Sequence, residues 1–399
     1  MLTKLTLNNF KCFSKPTAFE LRRVNIFTGY NGRGKSTAMQ SLLLLAQSLY
    51  DNKHMRDLLV NGIFCKLGLF EDLLNNRGKS QTIDIAIETD NPDEVKDVRL
   101  SYEEKSDRKG KIAALFLDGK DYFEKRQEIG KPDSISGDSS LSNFPPQIHT
   151  LFNNYAYVSA DRLGPTAFEV KQDLYDNNPI GNNGEFRLNV LAGNEILKSK
   201  LSEIIVRVMD GGEINLKGDH ESEKSQEVLK LYFSTLDGTR SIKSINSGFG
   251  YSYIIPILLA ALNMKDGCLF IENPEAHLHP YAQSQLMKEL ISIAIDNNIQ
   301  LFIESHSEHV INAVRLCALL DGGYKNFTNE DVSIYFFNND MEISHLKMHS
   351  NGQMDNWPIG FFDQAESDAA LKLRFVIFRH IGNSEVVMIV VEKEIQREE

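Results

Sequence analysis

A chain of 399 residues is long enough for two or three domain-sized units, or for one large domain with insertions. Its composition is that of an ordinary globular protein, and a formal net charge of −12 excludes a global pull toward nucleic acid. The longest apolar run, Ile254 to Leu262, contains Pro256 and is too short for a membrane span, so no membrane partner is expected.

Cys12, Cys65, Cys268 and Cys317 are scattered and form no C-x-x-C pair, as expected of reduced thiols. The opening Met1 to Leu7 alternates like a strand and lacks the apolar core of a signal peptide, so a cytoplasmic location is expected.

In chain order, Leu2 to Leu7 and Phe19 to Thr28 predict strands. Next comes Gly29-Tyr30-Asn31-Gly32-Arg33-Gly34-Lys35-Ser36, a complete G-x-x-x-x-G-K-[ST] phosphate loop. It lies between an apolar run, Val24 to Thr28, and a helix-like run, Thr37 to Tyr50. Glycines let main-chain amides turn inward onto phosphate oxygens. Lys35 reaches the outer phosphates, Ser36 offers its hydroxyl to Mg²⁺, and the helix directs its positive end at the anion. Asn31, Gly32, Arg33, Gly34, Lys35, Ser36 and Thr37 are therefore the expected triphosphate contacts. A Gly-rich turn is the bland alternative, but strand, loop and helix agree.

The helix carries Leu42 to Leu45 and is expected to be buried against a sheet. Thr82 to Thr89, Val98 to Tyr102 and Ile112 to Leu117 alternate as strands. Arg126 to Gln147, rich in Ser, Gly, Pro and Asp, reads as a loop, and Tyr155 to Ser159 as a short buried strand. Lys171 to Gly184 reads as loop, Asn194 to Asp210 as helix, Gly211 to Lys224 as charged loop, and Leu229 to Ser234 as strand. The last third alternates helix near 250–262, strand 268–271, helix 281–296, strand 300–303, helix 309–320 and strand 332–337. Such alternation predicts an α/β fold with a mainly parallel sheet. The basic groups Arg22–Arg23, Lys105/Arg108/Lys109/Lys111 and Lys125–Arg126 read as solvated loop charge, with a local DNA contact as the alternative.

The strand Cys268 to Glu272 ends in an acid, as a Walker B strand must to set a carboxylate beside the Mg²⁺ on Ser36. Its continuation Glu272-Asn273-Pro274-Glu275-Ala276-His277-Leu278-His279-Pro280 resembles the E-x-P-E-x-H-L-H-P stretch of OLD-type ATPases and their RecF/SMC relatives. Asn9 to Phe13 is similar to the N-F-K-x-F opening of that group, and Gly62 to Leu74 and Tyr157 to Pro165 resemble segments of its stand-alone members. Trp357 to Gln364 resembles the mark of a small C-terminal domain of unknown function.

The resemblance implies an α/β, ABC-type P-loop ATPase head with mixed sheets, two lobes and a small C-terminal extension. It places the ATPase over about 1–345, as lobe I to 125, a loop-rich insertion over 126–240 and lobe II over 241–345, with 346–399 as the small domain. ATP and Mg²⁺ are then the expected cofactors, with Ser36 and Glu272 at the metal. Ser247, Gly248 and Gly250 fall at the ABC signature, which caps the γ-phosphate bound by another subunit, so a homodimer or higher homo-oligomer is expected. His306 falls at the switch histidine, against the γ-phosphate. A zinc cluster of His277, His279, His306 and His309 is the rival reading. Asp161 and Arg162 read as a structural ion pair, with reach toward nucleotide or a neighbouring subunit as the alternative.

One departure matters. Where the ABC pattern has a water-polarising glutamate, this chain has Asn273. An amide orients water but takes no proton at neutral pH. Either Glu275 supplies the base or hydrolysis is slow. With no Toprim nuclease pattern in the chain, the resemblance implies a sensor or switch subunit of a prokaryotic anti-phage system, acting through a separate nuclease or toxin. The alternatives are a RecF/SMC-like DNA clamp for repair, a transporter ATPase and an ATP-binding scaffold.

Overall fold

The computed structural model describes residues 1–358 except 53–55, 79, 91–94, 122–151, 153, 175–178, 212, 221–226, 235–237, 320–325, 341, 356 and 357. The loop expected over Arg126 to Gln147, the pair Lys125–Arg126 and, Pro358 apart, the segment Trp357 to Gln364 lie outside the described residues. Contacts divide the chain into Met1–Asn356 and Trp357–Glu399. The elements below belong to the first unit.

Alternation makes β1 (Leu2–Asn8), whose Leu2, Leu5 and Leu7 are buried. The single strand expected over Phe19 to Thr28 is two, β2 (Thr17–Glu20) and β3 (Val24–Gly29). Asn25 explains the break. Its side chain accepts from the Arg22 N–H at 2.8 Å and donates to the Arg22 carbonyl at 2.7 Å, which closes a turn between them. Then follow α1 (Lys35–Asn52), β4 (Asp57–Leu59), β5 (Thr82–Thr89), β6 (Asp97–Ser106), β7 (Lys109–Leu117) and β8 (Lys120–Asp121). Next are β9 (Tyr155–Val158), β10 (Glu169–Val170), α2 (Arg187–Ala192) and α3 (Glu195–Met209). Asn194 caps α3 by accepting from the Leu197 N–H.

The segment expected as charged loop after Gly211 is instead a strand, β11 (Ile214–His220), paired antiparallel with β12 (Glu227–Ser234). Its charges hid the alternation of Ile214 and Leu216, and the partner strand supplies the hydrogen bonds. The remaining elements are β13 (Ser241–Lys243), α4 (Phe249–Asn263), β14 (Cys268–Glu272), α5 (Pro280–Asp296), β15 (Gln300–Glu304), α6 (Glu308–Cys317), β16 (Val332–Phe337) and β17 (Ile343–Leu346).

The central sheet runs β17-β16-β3-β15-β14-β9. All its pairings are parallel except that of the edge strand β17. Val24 to Thr28, Cys268 to Ile271 and Gln300 to Glu304 are buried throughout, as strands covered on both faces must be. Helix α1 packs on β3 and β15, and α4 on β9 and β14. A second, antiparallel sheet runs β2-β1-β5-β6-β7-β4, with β8 on β7. One hydrophobic cluster joins the two sheets, with the Phe19 ring 6.1 Å from Phe27 and 6.3 Å from Phe337. Leu42 to Leu45 of α1 lie inside this cluster. A third sheet holds β10-β12-β11, with β13 on β12. Of the basic groups, Lys105 and Lys111 pair with Asp57 and Glu103, and Arg23 donates to the Ala294 carbonyl.

The β3-β15-β14 order matters most for the site. It sets the end of β15 between the phosphate loop and the Walker B strand.

Candidate functional site

The loop from Gly29 to Lys35 joins β3 to α1. Gly29 has φ +121° and Gly34 has φ +104°. A Cβ on Gly29 would stand 2.3 Å from the Phe337 carbonyl oxygen, and one on Gly34 2.4 Å from Cys12 Sγ. Only glycine fits both backbone and space there. Among the described residues, nothing accepts from the main-chain N–H of Asn31, Gly32, Gly34 or Lys35. These amides, at the N-terminus of α1, form a cradle that fits phosphate oxygens. Lys35 is 3 % exposed, and its Nζ donates to the carbonyls of Tyr30 at 2.8 Å and Gly29 at 3.2 Å. Burial lowers its pKa, against the raising influence of Glu304. Arg33 donates to Asn339 at 2.7 Å, and the Thr37 N–H closes the loop onto the Gly34 carbonyl.

Glu272 and Glu304 end neighbouring strands in direct register. Sequence reasoning nominated Glu272 and missed Glu304. Yet the Ser36 hydroxyl donates to Glu304 Oε2 at 2.6 Å, and Lys35 Nζ lies 3.9 Å from Glu304 Oε1. Glu272 stands one strand farther from the loop, where its Oε2 accepts from the Ala160 N–H at 3.3 Å. The signal for Glu304 was present, because Gln300 to Glu304 is a second apolar strand ending in an acid. Burial raises the Glu304 pKa, the Ser36 hydrogen bond opposes it, and Glu272 adds to the rise.

Asn273 takes left-handed backbone, φ +44°, which asparagine tolerates better than most residues. Its N–H donates to the Glu304 carbonyl at 2.8 Å. Its buried Oδ1 has no hydrogen-bond partner among the described residues. Glu275 is fully engaged by the switch segment. Its Oε2 accepts from Ser305 Oγ at 2.9 Å and its Oε1 from the His306 N–H at 2.8 Å. Burial lowers the His306 pKa, the positive Lys35 lowers it further, and Glu275 opposes both. His306, expected at the switch position, thus lies within the field of the phosphate-loop lysine.

The expected Asp161–Arg162 ion pair is replaced. Arg162, 3 % exposed, donates to the carbonyls of Ser159 at 2.9 Å, Glu272 at 2.7 Å and Asn273 at 2.6 Å. Its guanidinium lies 5.1 Å from the centroid of the Tyr253 ring in α4. Burial pulls its pKa down to about 10. Turn carbonyls are a better match than one exposed carboxylate for a buried five-donor fork.

Ser247 and Gly248 lead into α4, with Gly248 as its N-cap. The Ser247 hydroxyl donates to the Ser244 carbonyl at 2.6 Å. A Cβ on Gly250 would stand 3.1 Å from Met209 and 3.2 Å from the His277 carbonyl oxygen. The four histidines hold separate positions. His277 lies against Tyr253 at 4.5 Å, His279 caps α5 by accepting from the Tyr281 N–H, and the His309 N–H donates to Ser307. Among the described residues, no group of three or more His, Cys, Asp or Glu is arranged to hold a metal.

A family model described as "AAA ATPase domain" matches residues 1–178 and 191–311. The chain belongs to this AAA ATPase domain family. A model described as "Protein of unknown function (DUF3696)" matches residues 327–371. Among solved structures, the Smc head domain from Pyrococcus furiosus, bound to the C-terminal domain of ScpA, is 12% identical over 96% of this chain and 99% of its own, with a TM-score of 0.50. The SMC head domain from Thermotoga maritima is 14% identical over 87% of this chain and 99% of its own, at 0.44. The recombination mediator RecF is 10% identical over 86% of this chain and 98% of its own, at 0.43. No curated protein matches. At these identities the likeness concerns fold alone. The AAA ATPase domain of this chain has a mixed α/β fold of the Smc-head type.

Proposed function

We propose that this chain binds ATP with Mg²⁺, hydrolyses it slowly, and closes head to tail with a second copy around two nucleotides. The observation that carries the reading is the convergence, at one end of the parallel sheet, of Lys35, Ser36, His306 and loop amides that have no acceptor among the described residues. In this reading the loop of one copy meets Ser247 and Gly248 of the other, so each site is shared between two. Exposed Ile245 and Phe249 beside Ser247 are apolar surface that a second copy would cover.

In this reading Lys35 exchanges the carbonyls of Gly29 and Tyr30 for phosphate oxygens. The α1 N-terminus and the loop amides take the remaining charge. The cation, when bound, neutralises charge on the outer phosphates, and Ser36 holds it. His306, neutral at physiological pH, faces the γ-phosphate from the switch segment. Asn273 orients water through its Oδ1. It takes no proton, and general-base help is worth about 10²–10⁴-fold. Slow turnover follows, and with it a long-lived closed dimer.

The closed dimer would be the signal of a sensor or switch subunit in a prokaryotic anti-phage system, acting on a separate nuclease or toxin. A DNA clamp of RecF/SMC type is the alternative. The net charge of −12 and the paired lysines weigh against it. A steep salt dependence of DNA binding would favour the clamp.

The test is complementation between variants. Lys35→Ala and Ser247→Arg should each abolish turnover alone. Mixed, they should recover part of it, because a mixed dimer keeps one complete site. Inactive mixtures with no ATP-dependent dimer would sink the proposal.

A further inference from the structure

We propose that Glu304, not the Walker B acid Glu272, is the carboxylate that holds the divalent cation beside Ser36. This rests on the ATP and Mg²⁺ reading above, and it goes beyond it by naming the metal's protein partner.

Distance argues first. The Glu304 carboxylate is already 2.6 Å from the Ser36 hydroxyl. Adjacent oxygen ligands of an octahedral Mg²⁺, each about 2.1 Å from the metal, stand about 3 Å apart. A cation therefore enters between Ser36 and Glu304 with a shift of a few tenths of an ångström. The hydroxyl turns its proton away and presents a lone pair. Both ligands are hard oxygens, as such a cation requires.

Topology argues second. Strand β15 lies between β3 and β14, so Glu304 is one strand from the loop and Glu272 is two. Each step across a sheet is about 4.8 Å. Glu272 also has other work, since its Oε2 accepts from the Ala160 N–H and its carbonyl accepts from Arg162.

Electrostatics argues third. Glu304 is 9 % exposed, and its nearest positive charge is Lys35 Nζ at 3.9 Å. Once Lys35 turns to the phosphates, a buried carboxylate needs a new countercharge. A cation on Ser36 supplies it.

The experiment measures metal and nucleotide separately. Mn²⁺ serves as the probe, titrated with ATP present and followed by electron paramagnetic resonance. ATP affinity without metal is measured by calorimetry. Glu304→Gln should keep the metal-free ATP affinity, which also reports that it folds, and should bind Mn²⁺ about 10-fold or more weakly. Glu272→Gln should lose much less. Wild-type Mn²⁺ affinity in Glu304→Gln, together with a loss in Glu272→Gln, would overturn the proposal. Wild type that binds no ATP would overturn the nucleotide reading itself, which is a separate result. Should Glu304→Gln fail to fold, Glu304→Asp takes its place, and the shorter carboxylate should weaken Mn²⁺ while sparing metal-free ATP.

Discussion

Arg162 donates to the main-chain carbonyl of Asn273 at 2.6 Å, while its guanidinium covers the Tyr253 ring of α4. One buried side chain therefore ties the segment after β9 to the turn after β14 and to α4. Arg162→Met would leave the carbonyls of Glu272 and Asn273 without this donor, at about 1–3 kcal/mol each. The expected outcome is a clear fall in the thermal midpoint, with Arg162→Lys in between. An unchanged midpoint in Arg162→Met would show that water takes over these carbonyls.

Under the proposed function, position 273 sets the rate. Asn273→Glu places a proton acceptor where the amide now orients water, and steady-state turnover should rise toward the 10²–10⁴-fold range typical of general-base help. The left-handed backbone suits glutamate less well, at about 1 kcal/mol of stability. Wild-type turnover above about 10 per second would contradict slow hydrolysis from the outset. Glu275→Gln tests the rival base, and it should loosen the Ser305–His306 segment rather than merely slow chemistry.

His306 carries a pH signature. Its folded pKa lies below the ordinary 6.5, because burial and Lys35 both disfavour the cation. Below 6.5 the unfolded chain takes up this proton more readily than the folded one. Stability should therefore fall as pH drops through that range, and less so in His306→Gln. Denaturant melts across pH measure it. Turnover should be flat between about pH 7 and 8, where the ring stays neutral.

A buried pair outside the site has the opposite sign. Glu169 opens β10 and Arg187 opens α2, with Arg187 Nε 3.5 Å from Glu169 Oε1, an oxygen without a hydrogen bond among the described residues. Burial raises the Glu169 pKa from 4.5 to about 7, against the pull of Arg187. The folded chain holds this proton where the unfolded one releases it. Its contribution is full below 4.5 and is lost as pH rises through 7, by about 3 kcal/mol at most. Relative to Glu169→Gln, wild type should lose stability over that window. Parallel pH curves for the two proteins would sink the assignment.

Much of the fold was legible along the chain. The strands and helices of the last third follow period and punctuation, because each buries a continuous apolar stripe or run. The differences fall where a side-chain turn or a distant partner overrides the local pattern. Asn25 breaks an apolar run by hydrogen bonding to Arg22, and the pairing of β11 with β12 outweighs its charged residues. The local pattern points Arg162 toward its neighbour Asp161, whereas two of its three carbonyl partners, Glu272 and Asn273, lie more than a hundred residues on.

The sequence by itself determined the phosphate loop. Its glycines, lysine and serine act through local backbone geometry and short reach, so spacing suffices to specify them. Only the tertiary structure decided which acid meets the loop. Glu304 lies 268 residues from Ser36 and reaches it because β15 inserts between β3 and β14. Strand order is set by packing and pairing of the whole sheet, and no local pattern encodes it.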